Sequence, residues 1–496
     1  MNRVKGWIID NIENVIAVIL SGIIAFFFSL NSSMHPWIGT NPGTDSSVFK
    51  TVALMMDRGY MPYRDSFDHK GPLLYLLNFI GYFIHASKGI WVIELLFLCF
   101  SFFFLYKTAR LLCKKMSAVV VCFFSVSILF VFFEGGNFTE EYAMAFIAVS
   151  TYIFIDFFLN ETINKFRLIV CGLSLGSVLL LRANMIILWV VLCIAVLVKK
   201  CIQKEYKALI GFVLWFLAGM LIIISPITIW LIVNHSFIDF WNDYIVFNTV
   251  YVSAKEGIAS VVETPLFPAQ WHVFFEFMKP IPILLSFIII IFELKEKKYI
   301  DVFYFIYMIC TMLSICSAGM HFGHYCMIIV PMIVYPLSIA WSKVESLDEK
   351  TSYIVLIALT FFVFSSTEWL NFISVIPEKY EDRKEEKRTS IDLVMKIDEL
   401  TDEDDAISVY GNWDYIYCAA NRKHATRYSY QFPIGQVMPS LMDEYWSQLE
   451  EELPKLIVVE KGREDDYINE FLDKYTYRMI WCEKNDGPGA KLYIIE

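Results

Sequence analysis

The chain has 496 residues, of which 57% are hydrophobic and 19% charged, and it carries a net charge of −11 at pH 7. A soluble chain cannot hide that much apolar surface, and its repeated apolar runs near twenty residues read as transmembrane helices. The acidic residues lie mostly in the last quarter, so the charge gives no case for a nucleic-acid partner.

The first apolar run, roughly residues 12–30, is long for a signal-peptide core and has no small-residue cleavage motif before Asn31; it is expected to stay as a helix. Further spans are expected near 89–106, 117–133, 139–158, 166–181, 184–198, 209–231, 280–293, 300–317, 323–341 and 353–370, about eleven in all. Basic clusters orient them. Arg3/Lys5, Lys107–Lys115, Lys165/Arg167, Lys199–Lys207, Lys295–Lys298 and Lys343/Lys350 fall in short loops that the positive-inside rule makes cytoplasmic. Pro72–His85 is too short to cross and is expected to lie along the outer interface. The N-terminus is then inside and the C-terminus outside. Arg182-Ala183-Asn184 divides an apolar run too long to cross once, so the chain is expected to turn there.

After about residue 371 the composition becomes polar. Glu378–Arg388 is a charge run, read as a linker or helix start. Ala406–Gly411, Leu456–Val459 and Lys491–Ile495 read as strands, and Asp414–Arg422 and Tyr467–Tyr475 as helices. The domains expected are a membrane domain over 1–370, with a first external loop 31–88 and a long external loop 235–279, and a small α/β domain over 371–496. Of eleven cysteines, only Cys418 and Cys482 fall in the hydrophilic tail, and no spacing suggests zinc.

This topology gathers one set of polar residues on the outer face. Asp45 follows the first span, and Phe67-Asp68-His69-Lys70-Gly71-Pro72 comes soon after. Polar groups at a bilayer edge are costly to desolvate, which makes such a cluster a functional-site candidate. A carboxylate there can take the proton of an attacking hydroxyl, and a lysine can bind a phosphate and stabilise charge on it as it leaves. The plainer reading makes Asp45 a helix cap and Lys70 an interfacial anchor.

Glu140 and Glu141 follow Thr139. They read either as first-turn partners of the helix dipole behind a Thr139 cap or as acids that hold a divalent metal or the acceptor. Arg182 reads as a second phosphate contact or as an interfacial arginine. His321 and His324 read as phosphate donors, a weak metal pair, or ordinary boundary histidines. The aromatic loop 235–279 reads as an interfacial belt or a lid over a lipid-linked substrate.

The order is a first span, an outer Asp, Gly59-Tyr60-Met61-Pro62-Tyr63, a charged residue before Gly71-Pro72-Leu73, and an interfacial helix. It resembles the GT-C membrane glycosyltransferases, specifically the bacterial relatives of protein O-mannosyltransferases and of the lipid A aminoarabinose transferase (glycosyltransferase family 39-like). Two positions depart from that pattern: Ser46 stands where a second acid often follows, and Gly71 replaces the first proline.

The resemblance implies a GT-C-like polytopic helical membrane protein with a small C-terminal extracytoplasmic α/β domain, in the bacterial cytoplasmic membrane. It implies inverting transfer of a sugar from a polyprenyl-phosphate donor to a cell-envelope glycan, lipid or protein. Asp45, Glu140 and Glu141 are the expected catalytic acids, and Lys70, Arg182, His321 and His324 the expected phosphate contacts. Tyr63, Asp68, His69 and Asn184 are expected to line the substrate loop. A divalent metal, magnesium or manganese, held by Asp45 and Glu140, is left open as a cofactor. The rival readings are a transporter or flippase for a lipid-linked glycan, and an inactive assembly partner with the same fold. Evident internal repeats or broken midplane helices, which a transporter tends to show, are lacking in the sequence.

Overall fold

The computed structural model describes residues 2–37, 45–250, 276–317, 322–482 and 489–496. It divides into two compact units. One is drawn from Met1–Ser32, Trp91–Ile227 and Ala259–Ile376, the other from Ser33–Ile90, Thr228–Ile258 and Pro377–Glu496.

The first unit is helical. Among the described residues, eight helices of the whole chain are long and apolar enough to cross a membrane: Asn11–Ser29, Pro72–Ala109, Lys115–Phe132, Thr139–Asn160, Tyr206–Val233, Tyr299–Cys316, Gly323–Val344 and Glu349–Ser366. The other three expected spans are present as shorter helices, Lys165–Leu179, Ile187–Ile202 and Ile281–Glu293, of 15, 16 and 13 residues. At 1.5 Å per residue these fall short of a hydrocarbon core of ~30 Å. Local signals fix the ends. Asn164 caps the helix Lys165–Leu179 by accepting from the Arg167 N–H at 2.9 Å, and Asp348 accepts from the Thr351 N–H at 3.0 Å. Thr139 is no cap: the helix Thr139–Asn160 begins with it, and its hydroxyl donates to Glu140 at 2.7 Å. The chain breaks at Arg182 as expected, passing through a short 3-10 turn over Ala183–Met185.

The helix Pro72–Ala109 is two helices joined at His85 and Ala86, whose φ/ψ values of −167/54 and 45/−134 leave the helical region. The break separates the short first segment from the later span, as the sequence reading expected. Gly81 and Gly89 allow the fold-back: a Cβ on Gly81 would stand 2.6 Å from the backbone of Ile90. Only glycine permits so close an approach.

The second unit holds a five-stranded sheet: β1 Ala406–Tyr410, β2 Lys423–His424, β3 Leu456–Glu460, β4 Tyr477–Cys482 and β5 Ala490–Ile495. The order is β2-β1-β3-β5-β4. β1 runs parallel to β2 and β3, with Ile407 opposite Leu456, and β5 runs antiparallel to β3 and β4. β1 and β3 are buried along almost their whole length and mostly apolar, which suits strands covered on both faces. Their core takes in Ile407, Val409, Leu456, Val458, Ile416 and Tyr417, with Leu393 and Ile397 from the helix Trp369–Leu400. That helix runs unbroken through the charged stretch Glu378–Arg388.

The helix Asp45–Asp57 also belongs to this core. Leu54 and Met55 are 2% and 1% exposed within it, and the helix packs on Tyr415–Ala419. Burying such side chains contributes roughly 1.5–3 kcal/mol each. The polar start of this helix is therefore anchored by an apolar face two to three turns away.

Candidate active site

Most of the residues expected at the site fall into two clusters, one in each unit. In the second unit the loop between the helices Asp45–Asp57 and Pro72–Ala109 is tightly built. Tyr63 has φ +70°, a left-handed conformation uncommon for a bulky residue. It is held there by complete burial, by its N–H donating to Ser66 O at 2.8 Å, and by its hydroxyl donating to Lys70 O at 2.8 Å. Asp65 accepts from the Met61 N–H at 2.7 Å.

Asp68 is only 2% exposed. Its carboxylate accepts from the Tyr75 hydroxyl at 2.7 Å and the Tyr430 hydroxyl at 2.9 Å, and His69 Nδ1 stands 3.3 Å away. Burial pushes its pKa up, but the contacts with His69, Lys70 and Tyr75 outweigh that and hold the carboxyl well below the usual range. His69 moves down from its ordinary value, chiefly through burial and then through the charge of Lys70, with Asp68 and Asp45 opposing.

Lys70 Nζ lies 2.9 Å from His69 Nε2, 3.8 Å from Asp45 Oδ2 and 5.9 Å from the Phe49 ring centre. Asp45 is the first residue of its helix, so its carboxylate sits in the positive first turn. Its side chain is 50% exposed, against 15% for Lys70. An accessible carboxylate and a largely covered ammonium thus stand side by side.

Three supports of this cluster escaped the sequence reading. Tyr430 holds Asp68. Buried Asp414 accepts from the Ser47 hydroxyl at 3.1 Å, and its carbonyl accepts from Thr51 at 3.2 Å. Burial, with the charges of Asp45 and Asp68 adding to it, pushes Asp414 up to about 8 although Ser47 opposes the shift. Arg427 donates to Tyr63 O at 2.8 Å, pairs with Asp243 and Glu444, and accepts at its own carbonyl from the Phe67 N–H at 2.7 Å. No sequence spacing announces contacts of this range.

In the first unit Arg182 is ion-paired with Glu140, and its guanidinium lies 4.1 Å from the Tyr325 ring centre. His324 stacks on Phe138, with centroids 4.2 Å apart and planes 5° apart. Its Nδ1 is 2.7 Å from Glu134 Oε2, and Glu134 also accepts from the backbone of Gly323 at 2.9 Å. Glu141 is buried, accepts from the Asn137 N–H at 2.7 Å and lies beside Glu94, which in turn accepts from Ser32 at 2.8 Å. Gly136, at φ +70°, leaves room for this pair: a Cβ there would strike Glu94. Glu94 sits inside an apolar run, and a lone acid in a span is itself a functional signal. Asn184 is exposed, and its carbonyl accepts from Ser314 at 3.0 Å. His321 and the loop aromatics Tyr251, Trp271, Phe274 and Phe275 lie outside the described residues.

The donor set for a divalent metal was tested against this geometry. Among the described residues no three His, Cys, Asp or Glu side chains converge as ligands would, and Glu140 is already engaged by Arg182 and Thr139. Among the described residues no set fits such an ion, and no step below is routed through one.

Residues 11–352 match the family described as "Putative competence-induced protein Ccs4 N-terminal domain". No curated protein matches the chain. Among solved structures, ArnT from Cupriavidus metallidurans in the apo state is similar over 99% of this chain and 98% of its own, at 11% identity and a TM-score of 0.58. The same protein bound to undecaprenyl phosphate matches at 11% identity over 96% and 97%, also with a TM-score of 0.58. The Archaeoglobus fulgidus oligosaccharyltransferase in its apo form matches at 12% identity over 90% of this chain and 69% of its own, with a TM-score of 0.53. The fold is similar to that of ArnT and of the Archaeoglobus fulgidus oligosaccharyltransferase, and the chain is a multi-pass membrane protein.

Proposed function

The chain belongs to the competence-induced Ccs4 N-terminal domain family, and we propose that it is a membrane glycosyltransferase taking its sugar from a polyprenyl-phosphate donor. The observation that carries this reading is the pairing of Asp45 with Lys70, 3.8 Å apart at the start of a helix. An accessible carboxylate beside a cation supports the roles of base and phosphate contact. The structure of ArnT with undecaprenyl phosphate supports the donor class.

In this reading the acceptor hydroxyl attacks the anomeric carbon and Asp45 takes its proton. The bond from that carbon to the lipid phosphate oxygen breaks, and the configuration inverts. Lys70 stabilises the charge that develops on the departing phosphate. Positioning, a general base and a charge-stabilised leaving group suffice for such a displacement. In the first unit, Arg182 and His324 are proposed as phosphate-binding residues. Glu140 keeps Arg182 oriented, and buried Glu141 is proposed as a support of its helix start.

The acceptor is proposed to be a cell-envelope glycan, lipid or protein on the outer side of the bacterial cytoplasmic membrane. The test is transfer of radiolabelled sugar from a panel of polyprenyl-phosphate sugars in proteoliposomes. Labelled product from one donor supports the reading. A well-folded protein inert with every donor and acceptor fraction counts against it.

A further inference from the structure

Four consecutive functional groups in the second unit form a line. Asp68 is fixed at one end by two tyrosine hydroxyls, from Tyr75 and Tyr430. His69 Nδ1 lies 3.3 Å from Asp68 Oδ1. The opposite ring nitrogen, Nε2, lies 2.9 Å from Lys70 Nζ, and Lys70 Nζ lies 3.8 Å from Asp45 Oδ2.

An ammonium has three donors and no acceptor. The 2.9 Å contact therefore requires a lone pair on His69 Nε2, which puts the ring proton on Nδ1, facing Asp68. The order of groups and the choice of tautomer agree. His69 is also held from outside the line: its carbonyl accepts from Asn248 Nδ2 at 2.7 Å, and its ring lies 5.4 Å from that of Phe247. The His69 side chain is 17% exposed, close to the 15% of Lys70, so exposure does not separate the two; its contacts on three sides suit it to holding a neighbour.

We propose that His69 is a positioning residue for Lys70, its Nε2 holding the ammonium on the Asp45 side, where the lipid phosphate is proposed to bind. Asp68 acts one step back, its carboxylate 3.3 Å from His69 Nδ1 favouring the proton on that nitrogen. The inference rests on the reading of Lys70 as the phosphate contact. A lysine is a flexible chain ending in a point charge, so the geometry it presents depends on what tethers it. It gives Asp68 and His69 a role that substrate contact does not.

The test uses the full chain in nanodiscs, with binding of undecaprenyl phosphate as one readout and acetylation of Lys70 relative to Lys50 as the other. The variants are Lys70→Ala, His69→Ala, His69→Asn and the double variant His69→Ala/Lys70→Ala. His69→Ala is expected to weaken lipid-phosphate binding about tenfold, the scale of one charge-assisted contact, and to speed Lys70 acetylation severalfold. His69→Asn keeps a donor and an acceptor, is the milder change for folding, and should restore most of both. In the double variant the histidine change should add nothing to the loss from Lys70→Ala. Full additivity, or Lys70 acetylation unchanged in His69→Ala, overturns the proposal. If Lys70→Ala leaves binding intact while His69→Ala still frees Lys70 for acetylation, the phosphate reading fails and the positioning contact stands.

Discussion

The guanidinium of Arg182 is ion-paired with the carboxylate of Glu140 and lies over the ring of Tyr325, its carbon 4.1 Å from the ring centre. Glu140 is almost fully buried, so the pair is a unit. Removing one charge leaves the other uncompensated in a poor solvent for ions, which typically costs about 3–5 kcal/mol. Arg182→Gln is thus expected to lower the thermal midpoint in detergent clearly. Arg182→Gln with Glu140→Gln should recover most of that stability. Recovery of fold without recovery of donor binding would separate the proposed phosphate role of Arg182 from its structural one.

Asp45→Asn tests the base. The change removes a charge from a helix first turn, which costs only about 0.3–1 kcal/mol. Sugar transfer should fall by roughly 10²–10⁴-fold, the usual contribution of a positioned base. Near-normal transfer by the folded variant would take Asp45 out of the mechanism.

Lys70→Ala removes one charge-assisted contact to the lipid phosphate, worth about 1.5–3 kcal/mol. The expected result is weaker binding of the lipid phosphate with the fold retained, read by titration with undecaprenyl phosphate. An unchanged affinity would leave Lys70 as a partner of Asp45 and nothing more.

Asp414 makes a pH prediction. Its folded pKa is raised to about 8, chiefly by burial, against about 3.9 in an unfolded chain. Between those values the folded state holds a proton that the unfolded state has lost, so stability falls as pH rises across that window and levels off above it. Asp414→Asn keeps an acceptor for Ser47 and cannot ionise. Its thermal midpoint should match the parent near pH 4 and exceed it near pH 8, by a few kcal/mol at most. Identical pH profiles for the two proteins would rule out Asp414 as the source.

The orientation is open to a direct check. Reporter fusions and cysteine accessibility should place the Lys199–Lys207 loop on the cytoplasmic side and the tail after residue 380 outside. The opposite result for either would separate the polar clusters from the face on which the proposed reaction takes place.

What the sequence disclosed follows the range of the interactions. The helices of the first unit and strands β1, β3 and β5 were visible because apolar runs are a local property. β2 is two residues long, too short for any periodic signal. β4 was missed because Arg478 and Met479 are exposed in succession, which blurs the alternation of a strand. The helix Ser440–Glu451 carried a legible stripe, Leu441, Tyr445 and Leu449, that went unread. Asp45, His69 and Lys70 were legible because polar residues at the end of a span stand out against their surroundings. Tyr430, Asp414 and Arg427 were not, because what makes them matter is a partner in a different part of the chain.

That separation bears on how the protein is made. Asp68 and Tyr430 are 362 positions apart, and the chain leaves the ribosome from its N-terminus at roughly 5–20 residues per second. The loop that carries Asp68, His69 and Lys70 therefore waits on the order of 20–70 s before Tyr430, the distant partner of Asp68, emerges. Until then a buried carboxylate and its histidine stay exposed beside the bilayer. Closure of this cluster by the tail is one of the last events of biosynthesis, and a nascent chain stalled before residue 427 lacks the Arg427 and Tyr430 contacts to the loop.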